Sequence, residues 1–231
     1  MPTTSTFTAP LSASGRRRPA LALCLAACMG VLLVNAAGAQ TAAPASPASP
    51  ASPTVRVRGN IVSVSATNLI VKARSGEVVD LLLANNMRIS EVYPIKLEDI
   101  KPGSYIGTAA MPQADGTQKA IAVSVFPEAA RGTAEGHGPY DLLPQSTMTN
   151  ATVDDVATMP NTAAGRTLKL TYKGGEKIVM VPTDAPVVTS RPGDKSLLVP
   201  DASVSLIAQE VSGKPTIIRI NVGKDGFVLP Y

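Results

Sequence analysis

Tryptophan is absent from the 231-residue chain, aromatic residues make up 3% of it, and histidine occurs once, as His137. Proteins that bind single-stranded nucleic acid stack bases on aromatic platforms, and this chain offers few. Cysteine occurs twice, as Cys24 and Cys28, both within the first forty residues. Past those, the chain has no thiol, so disulfides, thiolate metal sites and cysteine nucleophiles are excluded together. Closed structural zinc needs four ligands, usually Cys or His, and one histidine cannot supply them. Also missing are a Gly-x-Ser-x-Gly elbow, the ligand spacing of a calcium loop and a Gly-Lys-Thr/Ser phosphate loop.

The first forty residues read as an address. Arg16, Arg17 and Arg18 form a basic n-region, Ala20 to Val34 is an uncharged apolar run, and Ala37-Gly38-Ala39 supplies the small residues of a cleavage site. The run is shorter than the roughly 20 residues that span hydrocarbon, so a cleaved signal peptide over 1–39 is expected rather than a membrane anchor. Leu25-Ala26-Ala27-Cys28 resembles a lipobox, and lipidation of Cys28 is the alternative. Three of the 21 Lys and Arg leave with the leader and none of the 17 Asp and Glu, which leaves a net charge of +1. A chain so nearly neutral presents no strong field to nucleic acid or anionic lipid.

Residues 40–54 are an Ala/Ser/Pro-rich stretch that cannot bury apolar surface and reads as a disordered tether. Beyond it the hydrophobic period is two. Val55, Val57, Ile61 and Val64 predict a strand bent or bulged at Gly59. Leu69 to Val71 predicts a second strand and Val78 to Leu83 a third, joined across Ser75-Gly76. Leu97 to Gly103 predicts one helical turn, and Tyr105 to Ala110 and Ala120 to Phe126 two more strands. This is the element order of an OB-type five-stranded barrel.

The pattern recurs. Leu69, Gly76, Glu77 and Ile89 reappear 99 positions later as Leu168, Gly175, Glu176 and Val188. The fold expected is therefore all-β, with two tandem OB-like barrels over 55–128 and 145–231, joined by a Gly/Pro-rich segment over 129–144. Gly59-Asn-Ile-Val-Ser-Val64, Ser75-Gly76, Leu97-Glu-Asp-Ile-Lys-Pro-Gly103 and Asp115-Gly-Thr-Gln-Lys-Ala120 resemble an exported bacterial family. Its members carry a β-barrel domain of unknown function, often in tandem behind a signal peptide. The resemblance covers 55–126 and is thin in the second copy, where Pro200-Asp-Ala-Ser replaces the Lys-Pro-Gly turn. It implies fold and location and transfers no site.

Three readings compete for the joining segment, GTAEGHGPYD over 132–141. A metal centre would use His137 with Glu135 and Asp141, and Met148 or Met159 for a soft ion, which gives at most weak transition-metal binding. A hydrolase would need His137, Asp141 and a serine such as Ser146 within hydrogen-bond reach. An architectural joint would use glycine freedom to cross between barrels, with Tyr140 seated between them. OB barrels bind extended ligands on the face of strands 2 and 3. That face nominates Lys72, Arg74 and Arg88 in the first copy and Tyr172 and Lys173 in the second.

The function expected is a non-catalytic binding or adaptor protein of the periplasm or exterior. Its partner would be a cell-envelope protein or an extended ligand, with no nucleic acid and no transmembrane segment in the mature chain. Metal handling is the alternative and hydrolysis the third reading. N-terminal sequencing of the exported protein is expected to begin at Gln40; a chain beginning at a lipid-modified Cys28 would replace this assignment.

Overall fold

The computed structural model describes residues 54–158 and 165–231. The leader with both cysteines, the tether as far as residue 53, and Met159 lie outside the described residues. Twelve strands occur among those described: β1 Thr54–Val64, β2 Asn68–Ala73, β3 Val78–Pro94, β4 Tyr105–Pro112, β5 Gln118–Val125, β6 Gly136–Pro139, β7 Thr147–Thr158, β8 Arg166–Tyr172, β9 Gly175–Val181, β10 Val187–Pro192, β11 Ser203–Val211 and β12 Lys214–Gly223. No helix among them is long and apolar enough to cross a membrane.

The all-β expectation holds, and the strands close into five-membered rings. β1, β2 and β3 form an antiparallel meander. The free edge of β1 takes β11, β11 takes β12, and β12 runs parallel along β3 from Thr216↔Leu82 to Gly223↔Val92. The second ring repeats this pattern: β7, β8 and β9 form a meander, β4 joins β7, and β5 joins β4. β5 then runs parallel to β9 at Gln118 and Lys119 and to β10 at Val123 to Val125.

The barrels are not sequential, which corrects the boundaries read as 55–128 and 145–231. One barrel takes β1–β3 from the start of the described chain and β11–β12 from its end; we call it the split barrel. The other lies within 95–192, with β10 as its last strand, and is inserted between the two parts of the first. Repeat matching could not show this, because strands 4 and 5 of either copy offer the same edges. The 17 residues of β3 decide it. That strand stays paired with β12 as far as Val92, while Ser90 to Pro94 pair with β10, so the chain leaves it beside the neighbouring barrel and β4 and β5 build into that one.

Each ring encloses its own core. Val57, Ile61, Leu69, Val71, Leu206, Ile217 and Ile220 fill the split barrel. Ile106, Val123, Val153, Leu168, Leu170 and Val179 fill the inserted one. Each fully buried Leu, Ile or Val stabilises the fold by about 1.5–3 kcal/mol, and these positions follow the period of two seen in the sequence. A one-turn 3-10 helix precedes each plug: Leu97–Asp99 before Ile100, and Lys195–Leu197 before Leu198. The turn that follows needs a left-handed residue, met by Gly103 (φ 84°) in one copy and by Asp201 (φ 65°) in the other. Asp tolerates that region better than most residues, which explains why the second copy lost the Lys-Pro-Gly signature and kept the turn.

Gly59 does not bulge β1; the register shift falls between Ile61 and Ser63. The glycine instead allows close approach, since a Cβ there would sit 2.0 Å from the Lys72 carbonyl oxygen.

Interleaving predicts opposite behaviour for two fragments. Residues 95–192 alone are expected to unfold cooperatively in urea, followed by far-UV circular dichroism. Residues 54–128, which carry β1–β3 without their closing strands, are expected to give no cooperative transition. A folded 54–128 fragment would overturn the pairing.

Candidate ligand groove

Outside the two cores, the chain forms a groove of about 700 Å³ with walls from both barrels. Its wall on the split barrel follows from strand register. Arg56 lies opposite Ile207, Ile207 opposite Arg219, and Arg219 opposite Arg88, which sets three arginines in one row across β1, β11, β12 and β3. The next outward row along the strands holds Arg58, Ser205, Asn221 and Ser90. Alternation puts these side chains outward because Val57, Leu206 and Ile220 point into the core.

The inserted barrel supplies the floor, where small outward residues leave the space: Gly107, Ala109, Ala122 and Ser124. Gly107 is required there, because a Cβ would come within 2.6 Å of Asn150 Oδ1 and 3.1 Å of the Phe126 ring. Phe126 and Tyr231 give the groove an aromatic lining. Tyr231 is held from below by a 3.2 Å hydrogen bond between its hydroxyl and Ser124 Oγ, and burial raises its pKa.

The joining segment forms the remaining wall and is more ordered than its composition predicts. It contains a 3-10 turn, Glu128–Ala130, and β6, which pairs with β7 from Gly136↔Asn150 to Pro139↔Thr147. Tyr105 Oη donates to Thr133 O (3.0 Å) and Asn150 Nδ2 to Ala134 O (3.0 Å), which fixes it to the inserted barrel. At its far end Arg56 donates to Tyr140 Oη (3.1 Å), and Arg58 grips Asp141 through both terminal nitrogens (2.6 and 3.3 Å). The Arg56 and Arg58 guanidiniums also lie 5.3 and 5.4 Å from the centre of the Tyr140 ring. The segment joins β5 to β7 of the same barrel, which corrects the reading of it as the crossing between barrels; it reaches the split barrel through Tyr140 and Asp141, and it serves as a wall.

The metal set does not converge. Glu135 Oε1 accepts from the Lys173 backbone N–H (2.9 Å), Asp141 faces Arg58, and His137 Nδ1 shares a 2.8 Å hydrogen bond with Thr149 Oγ1. The His137 ring stacks on Tyr172, centroids 6.4 Å apart. Among the described residues no three His, Cys, Asp or Glu side chains are grouped to hold an ion. The triad does not assemble either: Ser146 is buried, its oxygen accepts from the Leu143 N–H (3.0 Å), and its one hydroxyl proton is shared between the Tyr140 and Leu143 carbonyls (2.9 and 2.8 Å).

The strand 2–3 candidates scatter. Arg88, Tyr140, Glu135 and His137 line the groove. Tyr172 and Lys173 line a shallower hollow on the other side of Glu135. Arg74 is structural, donating to the Leu229 carbonyl (2.5 Å), and Lys72 stands apart, exposed on β2. Arg56 and Arg219 escaped the sequence reading. Their signals were the Val-Arg-Val-Arg alternation of β1 and an arginine interrupting the apolar run Ile217-Ile-Arg-Ile220.

Three groups set an acid response of one sign. Burial, with a lesser push from Lys177, lowers the His137 pKa below its ordinary 6.5. The Arg58 hydrogen bond lowers Asp141 below 3.8, and the Arg191 hydrogen bond lowers Glu91 below 4.5. In each case the unfolded chain takes up the proton first, so stability is full above the ordinary value and falls as pH drops toward the folded one. The melting temperature is expected to decline gently below about pH 6.5 and steeply below about 4.5. Glu91→Gln should be less stable at pH 7 and show a flatter acid limb; equal limbs would remove Glu91 from this account. No family model, curated protein or solved structure matches this chain, which leaves the groove's own geometry to carry the functional reading.

Proposed function

We propose that the chain is an exported, non-catalytic binding protein whose ligand occupies the groove between the barrels. One observation carries the reading: a space of about 700 Å³, floored by small side chains and walled by both barrels and the joining segment. Ligand sites are typically clefts of about 300–1,000 Å³ with an apolar lining and a few convergent polar groups. This groove has Ala109, Ala122, Phe126 and Met148 on one side and Arg56, Arg88, Arg219 and Asn221 on the other. The binding surface therefore lies between the barrels rather than on either strand 2–3 hairpin. Export belongs to the same proposal, supported by the leader sequence and by the resemblance to an exported barrel family. No observation favours metal handling or hydrolysis over it.

The test is hydroxyl-radical footprinting of the full chain with the low-molecular-weight fraction of a cell-envelope extract. Phe126, Tyr140, Met148 and Tyr231 are expected to become protected. Ala122→Leu, which fills the floor, should weaken that protection at least tenfold; because Ala122 is buried, circular dichroism of the variant is recorded alongside to show that it is folded. Protection elsewhere, or protection unchanged by Ala122→Leu, would overturn the reading.

A further inference from the structure

We infer that the groove binds an oxyanion, a phosphate or carboxylate group carried by a small molecule, between Arg88 and Arg219. The inference rests on the groove being the ligand site and names the chemistry of its occupant.

The described residues include eight arginines, and six have a partner. Arg56 and Arg58 hold Asp141, Arg74 the Leu229 carbonyl, Arg131 Glu128, Arg166 the Ile100 carbonyl, and Arg191 Glu91. Arg88 and Arg219 enter none of the ion pairs or side-chain hydrogen bonds found among those residues. These two are also register neighbours on adjacent parallel strands, with backbones about 4.8 Å apart. Like charges side by side on a sheet destabilise it. A protein that places its two unpaired guanidiniums together, on the wall of its groove, has built a site that an anion completes.

The surroundings agree. Glu135 is the one Asp or Glu among the described residues that line the groove, and one of its oxygens is taken by the Lys173 N–H. Asn221 and Ser90 stand in the adjacent row as further hydrogen-bonding groups. The planar fork of a guanidinium matches a phosphate or carboxylate through two parallel N–H···O bonds. Beyond the anion, the small-residue floor and the Phe126 and Tyr231 rings leave room for an uncharged body. The site was not inherited by both copies. Arg88 corresponds, 99 positions on, to Val187, which is buried in the other core.

Pyrophosphate and citrate serve as probes, each titrated into the full chain against sodium chloride of equal ionic strength, with thermal unfolding as the readout. At least one is expected to raise the melting temperature beyond the chloride control. A response to pyrophosphate alone assigns a phosphate, and one to citrate alone a carboxylate. Arg88→Gln and Arg219→Gln should each weaken the effect at least tenfold. Without added anion at low salt, both variants should melt no lower than the parent, because each removes a like-charge contact. Either no response beyond chloride, a response unchanged in Arg219→Gln, or a variant that melts lower without anion would overturn the inference. The groove reading fails separately. If Ala122→Leu loses the envelope-extract footprint while Arg219→Gln keeps it, the groove stands and the oxyanion falls; if neither variant matters, both fall.

Discussion

Five residue pairs between β3 and β10, Val188↔Pro94 through Pro192↔Ser90, hold the molecule's two barrels in register. They are arranged about a pseudo-dyad: Ser90 faces Pro192 and Tyr93 faces Thr189, while Ser90 and Thr189, like Tyr93 and Pro192, are 99 positions apart. Each strand therefore ends its own barrel and meets its counterpart from the other. Glu91, buried in this ladder, is offset by Arg191 (2.5 Å) and Lys224 (4.0 Å), and Arg191 also lies 5.5 Å from the Tyr93 ring centre. Removing Arg191 would leave the buried Glu91 carboxylate poorly compensated, so the junction depends on that arginine. Phe227, Leu229 and Tyr231 then pack over Val92 and Val188 and close the junction on one side.

From this junction the groove follows. Joining two barrels through β3 and β10 leaves a trough between their outer faces, and its depth depends on what those faces carry. On the inserted barrel, glycine, alanine and serine keep it open. On the split barrel, arginines give it charge. A chain with a small net charge can therefore still present a strongly cationic wall, because its carboxylates are spent elsewhere: Asp141 on Arg58, Glu91 on Arg191, Glu128 on Arg131. Net charge bounds the long-range field and says little about a local surface.

Much of the fold was legible in the sequence. Period-two runs gave the strands and Leu97 to Gly103 gave the one-turn helix. The partnership of strands was not legible, because two copies with equivalent edges pair equally well within or between themselves. The site was half legible. His137 drew attention as a lone titratable residue, but its ring is taken up by Thr149 and Tyr172 and its role is that of a wall. Arg219 was not singled out at all, and its place beside Arg88 appears only when β12 is set beside β3. A row of side chains across four strands exists only in register, and register comes from long-range pairing that no local pattern encodes.

Interleaving also orders events in time. Val57 meets Leu206 across the β1–β11 ladder, so the first three strands keep two bare edges until the last two have been made. The inserted barrel, built from nearer neighbours such as Tyr105 and Thr152, can close earlier. Pairings this distant in sequence fold slowly. On the proposed export route, a chain threaded from its N-terminus would therefore arrive with its leading strands uncommitted. Nothing in the split barrel could lock before the final residues had crossed, so on that route the split barrel would be the last part of the chain to fold, after the barrel inserted within it.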